Sequence, residues 1–177
     1  MVKKVVGFLA LALLIAGLLL IWLLLRKPPM PEAARDPEAA QRFTEKVARL
    51  TLAHEQGIPS EIRLTEAEIN SQIEEGLKAH PPPAGEATIK GATVRLEGEK
   101  LVAVIAMIVK GEDVYVTVGG NLNFSGRAVR LVPSEVRIGS VPVPVSWMEG
   151  KIDMQMELPE GITGVRVENS ELVVQAD

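Results

Sequence analysis

The chain has 177 residues, a formal net charge of −4, no cysteine and only six aromatic residues. The lack of cysteine excludes disulfides, thiol catalysis and cysteine-ligated zinc. Residues 1–27 contain four basic residues and no acidic one, so residues 28–177 carry 15 basic and 23 acidic residues, a formal charge of −8. Phosphate contacts need clustered lysine and arginine, so we expect no nucleic-acid partner.

An uninterrupted apolar stretch, VVGFLALALLIAGLLLIWLLL, occupies residues 5–25. As an α-helix it would span roughly 31 Å at about 1.5 Å per residue, close to the thickness of the hydrocarbon core of a bilayer. Trp22 lies near its second boundary, where indole rings favour the lipid headgroups. The stretch predicts a helix that spans the membrane once.

We predict that this helix is an uncleaved signal-anchor comprising residues 1–27. Its apolar core is longer than the roughly 7–15 residues of a cleavable signal, and residues 26–29, Arg-Lys-Pro-Pro, make a poor cleavage site. Two basic residues stand on each side of the span, so the positive-inside rule does not decide its orientation. The short basic tail resembles the start of an export signal, and we therefore place the remaining chain outside the cytoplasm.

Residues 28–36 are predicted to form a proline-rich linker, and residues 37–177 one extracytoplasmic α+β domain. Asp36-Pro37-Glu38 predicts the start of a first helix, with an acceptor at the N-cap and proline at the first helical position. Gly57 and Pro59 are expected to end it. Its apolar stripe comprises Phe43, Val47, Leu50 and His54.

A second helix is predicted to begin at Thr65, which forms a capping box with Glu68. Leu64 and Ile69 occupy the positions of a hydrophobic staple. The buried face comprises Ile69, Ile73 and Leu77, and prolines at residues 81–83 end the helix.

From residue 87 onward the pattern changes to short apolar and β-branched runs separated by turn residues. Residues 101–109, LVAVIAMIV, are apolar at odd and even positions alike, so both faces of a strand would be apolar. This pattern predicts a strand with two buried faces. Gly119 and Gly120 predict a bulge or a bend. The close turn spacing predicts a meandering antiparallel sheet, with residues 165–167 and 172–174 as its last pair of strands.

The apolar residues of the segment 145–158 fit the spacing of either a helix or a strand. Val145, Met148, Ile152 and Met156 lie at helical spacing, whereas residues 152–158 also alternate as a strand does. We slightly favour a helix for the first half of this segment.

The sequence contains no recognisable catalytic, cofactor or metal motif, and we expect a non-enzymatic protein. His54 and His80 have no neighbouring histidine or cysteine, so we expect capping or surface roles for them. Carboxylates of the second helix are interpreted as a solvated face: Glu66, Glu68, Glu74 and Glu75.

One group of residues indicates an apolar ligand groove. Methionine is flexible and polarisable, and it is over-used on surfaces that accept varied apolar ligands. Methionines gather toward the C-terminal part of the chain, and the strand with two apolar faces precedes them. The candidate groove comprises Ile105, Met107, Trp147, Met148, Met154 and Met156. The alternative interpretation is a filled core built from adaptable side chains.

The order of segments resembles a known family. LTEAEIN at residues 64–70, a hairpin-rich middle, IGSVPVP at residues 138–144 and LPEGI at residues 158–162 are similar to the YpmS-like family of bacterial single-pass envelope proteins, whose function is unknown. More loosely, the chain is similar to LmeA-like envelope proteins and the tubular lipid-binding fold. That resemblance implies long helices and a highly curved antiparallel sheet around lipid, and it implies no catalytic residue.

These observations predict two helices packed on a meandering antiparallel sheet, held at the cell membrane by one span. The first functional hypothesis is a module that binds a lipid or another apolar ligand at the envelope. The alternative is a structural or protein-interaction module with a filled core, an envelope protein partner and no ligand. A third and weaker hypothesis is a hydrolase whose serine or carboxylate residues are scattered in the sequence.

Overall fold

A computed structural model describes residues 36, 38–81, 87–147 and 155–177. Within them the chain forms two α-helices packed with a strongly curled antiparallel sheet, which confirms the predicted α+β class. The elements, in chain order, are α1 (Ala39–Glu55), β1 (Ser60–Leu64), α2 (Glu66–Ala79), β2 (Ala87–Glu97), β3 (Lys100–Val109), β4 (Glu112–Ser125), β5 (Ala128–Ile138), β6 (Val141–Val143), a 3-10 turn (Val145–Trp147), β7 (Gln155–Glu157), β8 (Ile162–Glu168) and β9 (Glu171–Ala176).

The long sheet has the strand order β2-β3-β4-β5-β6, and β7 also pairs with β5. All these pairs are antiparallel, and consecutive strands are neighbours, as the predicted meander requires. The chain reverses between β2 and β3 at Gly98 and between β3 and β4 at Lys110-Gly111, all three with positive φ. Glycine adopts this left-handed conformation without the steric cost of a Cβ.

A second sheet has the order β1-β9-β8, which differs from the single predicted sheet. The β8–β9 hairpin confirms the predicted last pair, with Val167 opposite Leu172. β1 was not predicted, because its five residues contain only Ile62 and Leu64 as apolar positions. It is a strand because β9 supplies its backbone partners.

The N-cap of helix α1 lies two residues after the predicted cap, Asp36. Glu38 is its N-cap, while the Asp36 side chain accepts a hydrogen bond from the Glu38 N–H at 2.9 Å. Leu50 is buried on the predicted stripe, but Val47 is 37% exposed. The apolar face of α1 is therefore narrower than its spacing predicted.

Helix α2 begins with the predicted capping box. The Glu68 N–H donates to the Thr65 hydroxyl at 3.4 Å, and the Thr65 N–H donates to the Glu68 carboxylate at 2.9 Å. Ile69 and Ile73 pack against the core formed by Val94, Leu96 and Val167. The sequence predicted this capping box because Thr65 and Glu68 lie only three residues apart.

Side chains of α2 also complete the outer edge of β2. The Asn70 amide donates to the Val94 carbonyl oxygen at 2.8 Å, and its oxygen accepts from the Val94 N–H at 2.6 Å. Two residues along, the Leu96 N–H donates to the Glu66 carboxylate at 2.6 Å. These bonds occupy backbone groups that a further strand would otherwise use.

Glu68 is buried, with 2% of its surface exposed, and it joins the two helices. The Lys46 ammonium lies 2.8 Å from its carboxylate and also donates to the Arg63 carbonyl oxygen of β1 at 2.6 Å. The interpretation of the α2 carboxylates as a solvated face is therefore wrong for Glu66 and Glu68. It holds for Glu74 and Glu75, which are exposed.

The segment with two possible periods has both kinds of structure. Val145–Trp147 is a 3-10 turn and Gln155–Glu157 is a strand, and residues 148–154 lie outside the described residues. Residues 5–25, the predicted span, also lie outside them. Neither α1 nor α2, the helices of the described ranges, is long and apolar enough to cross a bilayer.

We expect Asn70→Asp to destabilise the fold by about 2–3 kcal/mol at neutral pH, since it replaces the donor to Val94 with an oxygen and buries a charge. Urea unfolding of the detergent-solubilised chain, followed by circular dichroism, measures the change. Asn123→Asp makes the same chemical change at an exposed position of β4 and should cost less than about 0.5 kcal/mol. Equal losses in the two variants would contradict the assigned role of Asn70.

The pKa of Glu68 gives a second expectation. Burial raises this pKa, but hydrogen bonds from Lys46 and from the Thr65 backbone outweigh burial and hold it below the ordinary value of 4.5. The ionised carboxylate therefore contributes stability above about pH 4.5, and this contribution is lost as the pH falls through the lower folded-state pKa.

Glu68→Gln should cost about 2–3 kcal/mol at pH 7 and flatten the decline in stability below pH 4.5. Unfolding free energies measured from pH 7 to pH 3 test both effects. Glu75→Gln, at an exposed position of the same helix, is the control and should preserve the acid decline. An unchanged slope in Glu68→Gln would show that the decline has another source.

Candidate functional site: an apolar face of the long sheet

The register of the long sheet collects apolar side chains on one face. Ile105 lies opposite Val116, which lies opposite Ile138. Residues directly opposite in antiparallel strands project from the same face. Applied to the pairs of strands from β2 to β6, this rule defines an apolar face comprising Ala87, Ile89, Ala92, Val94, Leu96, Leu101, Ala103, Ile105, Met107, Val109, Val114, Val116, Val118, Leu122, Phe124, Val129, Leu131, Val136, Ile138, Val141 and Val143.

A bulge keeps both ends of β5 on this face. Gly119 pairs with Glu135 and Gly120 pairs with Pro133, so Ser134 is an extra residue on β5. Without it, the alternation of side chains would turn one half of β5 to the opposite face. The bulge expected at the two glycines is confirmed, and the Ser134 hydroxyl donates to the Gly119 carbonyl oxygen at 3.4 Å.

One end of the apolar face is closed by other elements of the fold. Val94 and Leu96 form a core with Val167 of β8. Partly buried residues pack against that core: Ile69, Ile73, Leu101, Ala103, Leu122 and Leu172. At the hairpin turns, the Ser170 N–H donates to the Gly98 carbonyl oxygen at 3.1 Å. These core contacts and this hydrogen bond hold the β8–β9 hairpin against this end of the long sheet.

The other end of the face remains partly open. Its side chains are all aliphatic or methionine, and each retains partial solvent exposure. We call this region the distal apolar surface; it comprises Ile105, Met107 and Val109 of β3, Val114 and Val116 of β4, Ile138 of β5, and Val141 and Val143 of β6. A contiguous apolar surface that keeps contact with solvent is typical of a ligand or partner site.

On the opposite face of β3, the side chains that lie beside Ile105 along the strand are more deeply buried. Val104 and Ala106 are buried there, and Val104 lies between Thr93 of β2 and Thr117 of β4. The Thr93 hydroxyl is buried without a hydrogen-bond partner among the described residues. The doubly apolar strand is therefore buried on one face and only half buried on the distal apolar surface.

Charged groups stand at the far end of the strands. The Lys90 ammonium donates to the Asp113 carboxylate at 2.6 Å, and this hydrogen bond raises the pKa of Lys90. Within the described ranges, no three histidine, cysteine or acidic residues are placed to hold a metal ion. Asp113 lies opposite Ile108, so this charged pair stands at the same end of the strands but on the opposite face. The distal apolar surface itself offers apolar side chains only.

The structure divides the residues of the candidate groove. Ile105 and Met107 belong to the distal apolar surface, whereas Met156 lies opposite Val129 at the other end of β5. Met107 and Met156 are thus separated by roughly 30 Å along β4, at about 3.3 Å per residue. Trp147 lies in the 3-10 turn beside β5 and is 66% exposed. Met148 and Met154 lie outside the described residues.

The two histidines have structural positions. His80 is exposed at the C-cap of α2, as expected. The His54 Nδ1 lies 2.5 Å from the Asp177 carbonyl oxygen, and the His54 ring covers Gly161 so closely that a Cβ there would overlap it. The branched residues of β4–β6 that complete the distal apolar surface were missed as site residues, because only strand register reveals that they are neighbours.

Comparisons of the chain with family models, curated proteins and solved structures found no match.

We expect Gly120→Ala to destabilise the sheet by about 3 kcal/mol or more. A Cβ at Gly120 would overlap the carbonyl oxygen of Val132 and come within 2.9 Å of the Pro133 Cα, both backbone atoms. Gly119→Ala is the matched control, because its Cβ would meet only the Val102 and Glu135 side chains at 3.6 and 3.7 Å. Urea unfolding of both variants tests the difference, and similar midpoints would contradict the bulge geometry.

Proposed function

We propose that the protein is a membrane-anchored, extracytoplasmic, non-enzymatic module that binds the acyl chain of a lipid. The observation that carries this proposal is the distal apolar surface, which continues the core of the long sheet without being closed as the near end is. Each methylene group removed from water contributes about 0.8 kcal/mol, so a bound acyl chain would gain several kcal/mol there.

The chemical character of the surface favours an acyl chain over a polar ligand. Ile105, Val116 and Ile138 offer shape and apolar area but no hydrogen-bond donor or acceptor in their side chains. Ligand sites for polar molecules combine apolar walls with a few placed polar groups. Met107 adds a side chain that adapts to chains of different curvature.

The proposed membrane anchor would keep the domain beside the bilayer, which is the source of the lipid ligand. Residues 5–25 have the length and composition of a membrane span, and the linker predicted at residues 28–36 is short. A domain tethered in this way stays at a high local concentration beside lipid. The resemblance to YpmS-like proteins and to the tubular lipid-binding fold agrees with this proposal.

We expect Met107→Glu to reduce labelling of the chain by a photoactivatable fatty acid by at least about tenfold. A carboxylate on the distal apolar surface would have to be desolvated beside the acyl chain, and more than about 1.4 kcal/mol of lost binding gives this factor. The measurement uses the full chain in phospholipid nanodiscs and maps the labelled peptide by mass spectrometry.

The matched control is Leu52→Glu, which makes a similar change at a 55% exposed position of α1. It should label like the wild type. Labelling that persists in Met107→Glu, or that falls equally in both variants, would refute the acyl-chain site.

A structural or protein-interaction module is the second candidate. The observation that favours it is the filled near end of the apolar face, where Leu96, Leu101 and Leu172 pack together. A photoreactive amino acid at Val116 distinguishes the two in cells. An acyl-chain site should yield lipid adducts there, whereas an interaction module should yield one reproducible protein adduct.

A further inference from the structure

Two of the most exposed large apolar side chains lie along one edge of the long sheet. Trp147 is 66% exposed and Met156 is 61% exposed. Met156 belongs to β7, which pairs with β5, and Trp147 belongs to the 3-10 turn that contacts β5. We call these two residues the tryptophan edge. Val132 of β5 is also exposed, but it lies opposite Asn121 and therefore projects from the other face of the sheet than Met156, which lies opposite Val129.

The charge around the tryptophan edge differs from the charge of the domain. The described residues of β5, β6, β7, the 3-10 turn and the adjoining turns at residues 126–127 and 158–161 carry three arginines and three glutamates. These are Arg127, Arg130, Arg137, Glu135, Glu157 and Glu160. Their formal charges cancel, whereas residues 28–177 together carry −8. An anionic bilayer would repel this edge less than the acidic remainder of the domain.

The linker limits the distance between the domain and the bilayer. Nine residues, 28–36, separate the predicted anchor from the first helix, and nine fully extended residues reach roughly 30 Å. This reach is comparable to the length of the long strands. The nearest surface of the domain therefore stays within roughly 30 Å of the lipid headgroups, so contact with them is within reach.

We propose that the tryptophan edge is that surface, and that it lies in the headgroup layer of the bilayer. This inference rests on the proposed anchoring and extends the proposed function. Indole rings favour the interface because their apolar ring enters lipid while the N–H stays hydrated. The neighbouring arginines and glutamates keep the contact shallow, because charged groups are costly to bury in hydrocarbon.

The position of Trp147 links this contact to the acyl-chain site. Trp147 follows β6 after only three residues, and β6 contributes Val141 and Val143 to the distal apolar surface. A bilayer in contact with Trp147 therefore lies beside one margin of that surface.

Fluorescence tests the contact directly. The chain has two tryptophans, so Trp22→Phe leaves Trp147 as the sole indole of the full chain. In anionic vesicles, we expect its emission to shift to shorter wavelength and to be quenched more strongly by lipids brominated near the headgroup than by lipids brominated near the chain end. Emission at the wavelength of hydrated indole, with full access to iodide, would overturn the proposal.

A second measurement does not depend on Trp22→Phe. The chain has no cysteine, so Met156→Cys accepts one environment-sensitive fluorophore. Glu75→Cys provides the matched control, because it is exposed on α2, which lies along β2 at the opposite edge of the long sheet. We expect a blue shift in vesicles for the label at residue 156 and none for the label at residue 75. Equal spectra would overturn the proposal.

Two further results separate the possible failures. If alkaline carbonate leaves the chain in the membrane while Trp147 remains in water, the tryptophan edge is refuted and the anchoring stands. If carbonate releases the chain, the anchoring on which both proposals rest is refuted. The loss of fatty-acid labelling in Met107→Glu is independent of the indole emission and reports on the acyl-chain site alone.

Discussion

The paired hydrogen bonds between Asn70 and the backbone of Val94 determine how the helices meet the long sheet. They fix α2 along the outer edge of β2, and Glu66 extends the same contact to Leu96. Glu68, on the same helix, holds Lys46 of α1, which in turn reaches the backbone of β1. One helix thereby aligns α1, the small sheet and the long sheet. The apolar face can be closed at one end because this alignment brings the β8–β9 hairpin beneath it.

Local signals predicted much of this architecture. The capping box at Thr65, the hairpin turns and the bulge at Gly119-Gly120 each depend on residues that are close in sequence. The strand β1 and the division into two sheets depend on pairing with β9, more than a hundred residues away. The burial of Glu68 and the hydrogen bond of the half-buried Glu66 were not predicted for the same reason, since Lys46 and Leu96, which bind them, lie on other elements. A carboxylate on a helix gives no sequence signal that distinguishes such a partner from water.

The candidate site, too, was predictable only where it depends on residues that are close in sequence. The doubly apolar run at residues 101–109 predicted an unusual strand, and its second half supplies Ile105, Met107 and Val109 to one side of the distal apolar surface. Its neighbours from β4, β5 and β6 could not be chosen from spacing, because the register of three strand pairs decides which side chains share a face. The enrichment of methionine in the C-terminal part of the chain also grouped Met156 with Met107, although the strands carry them to opposite ends of the sheet.

The contact between Asn70 and β2 has a consequence for crowding in two dimensions. A strand with free backbone groups at the margin of a sheet is a template for pairing with another molecule. In the proposed anchored state, copies of the domain would meet on one membrane surface with similar orientation, which would increase the chance of such pairing and of polymer growth. Asn70 and Glu66 occupy the relevant groups of Val94 and Leu96 with side chains that cannot propagate a sheet. Helix α2 therefore blocks strand pairing between molecules at β2, in addition to supporting the core.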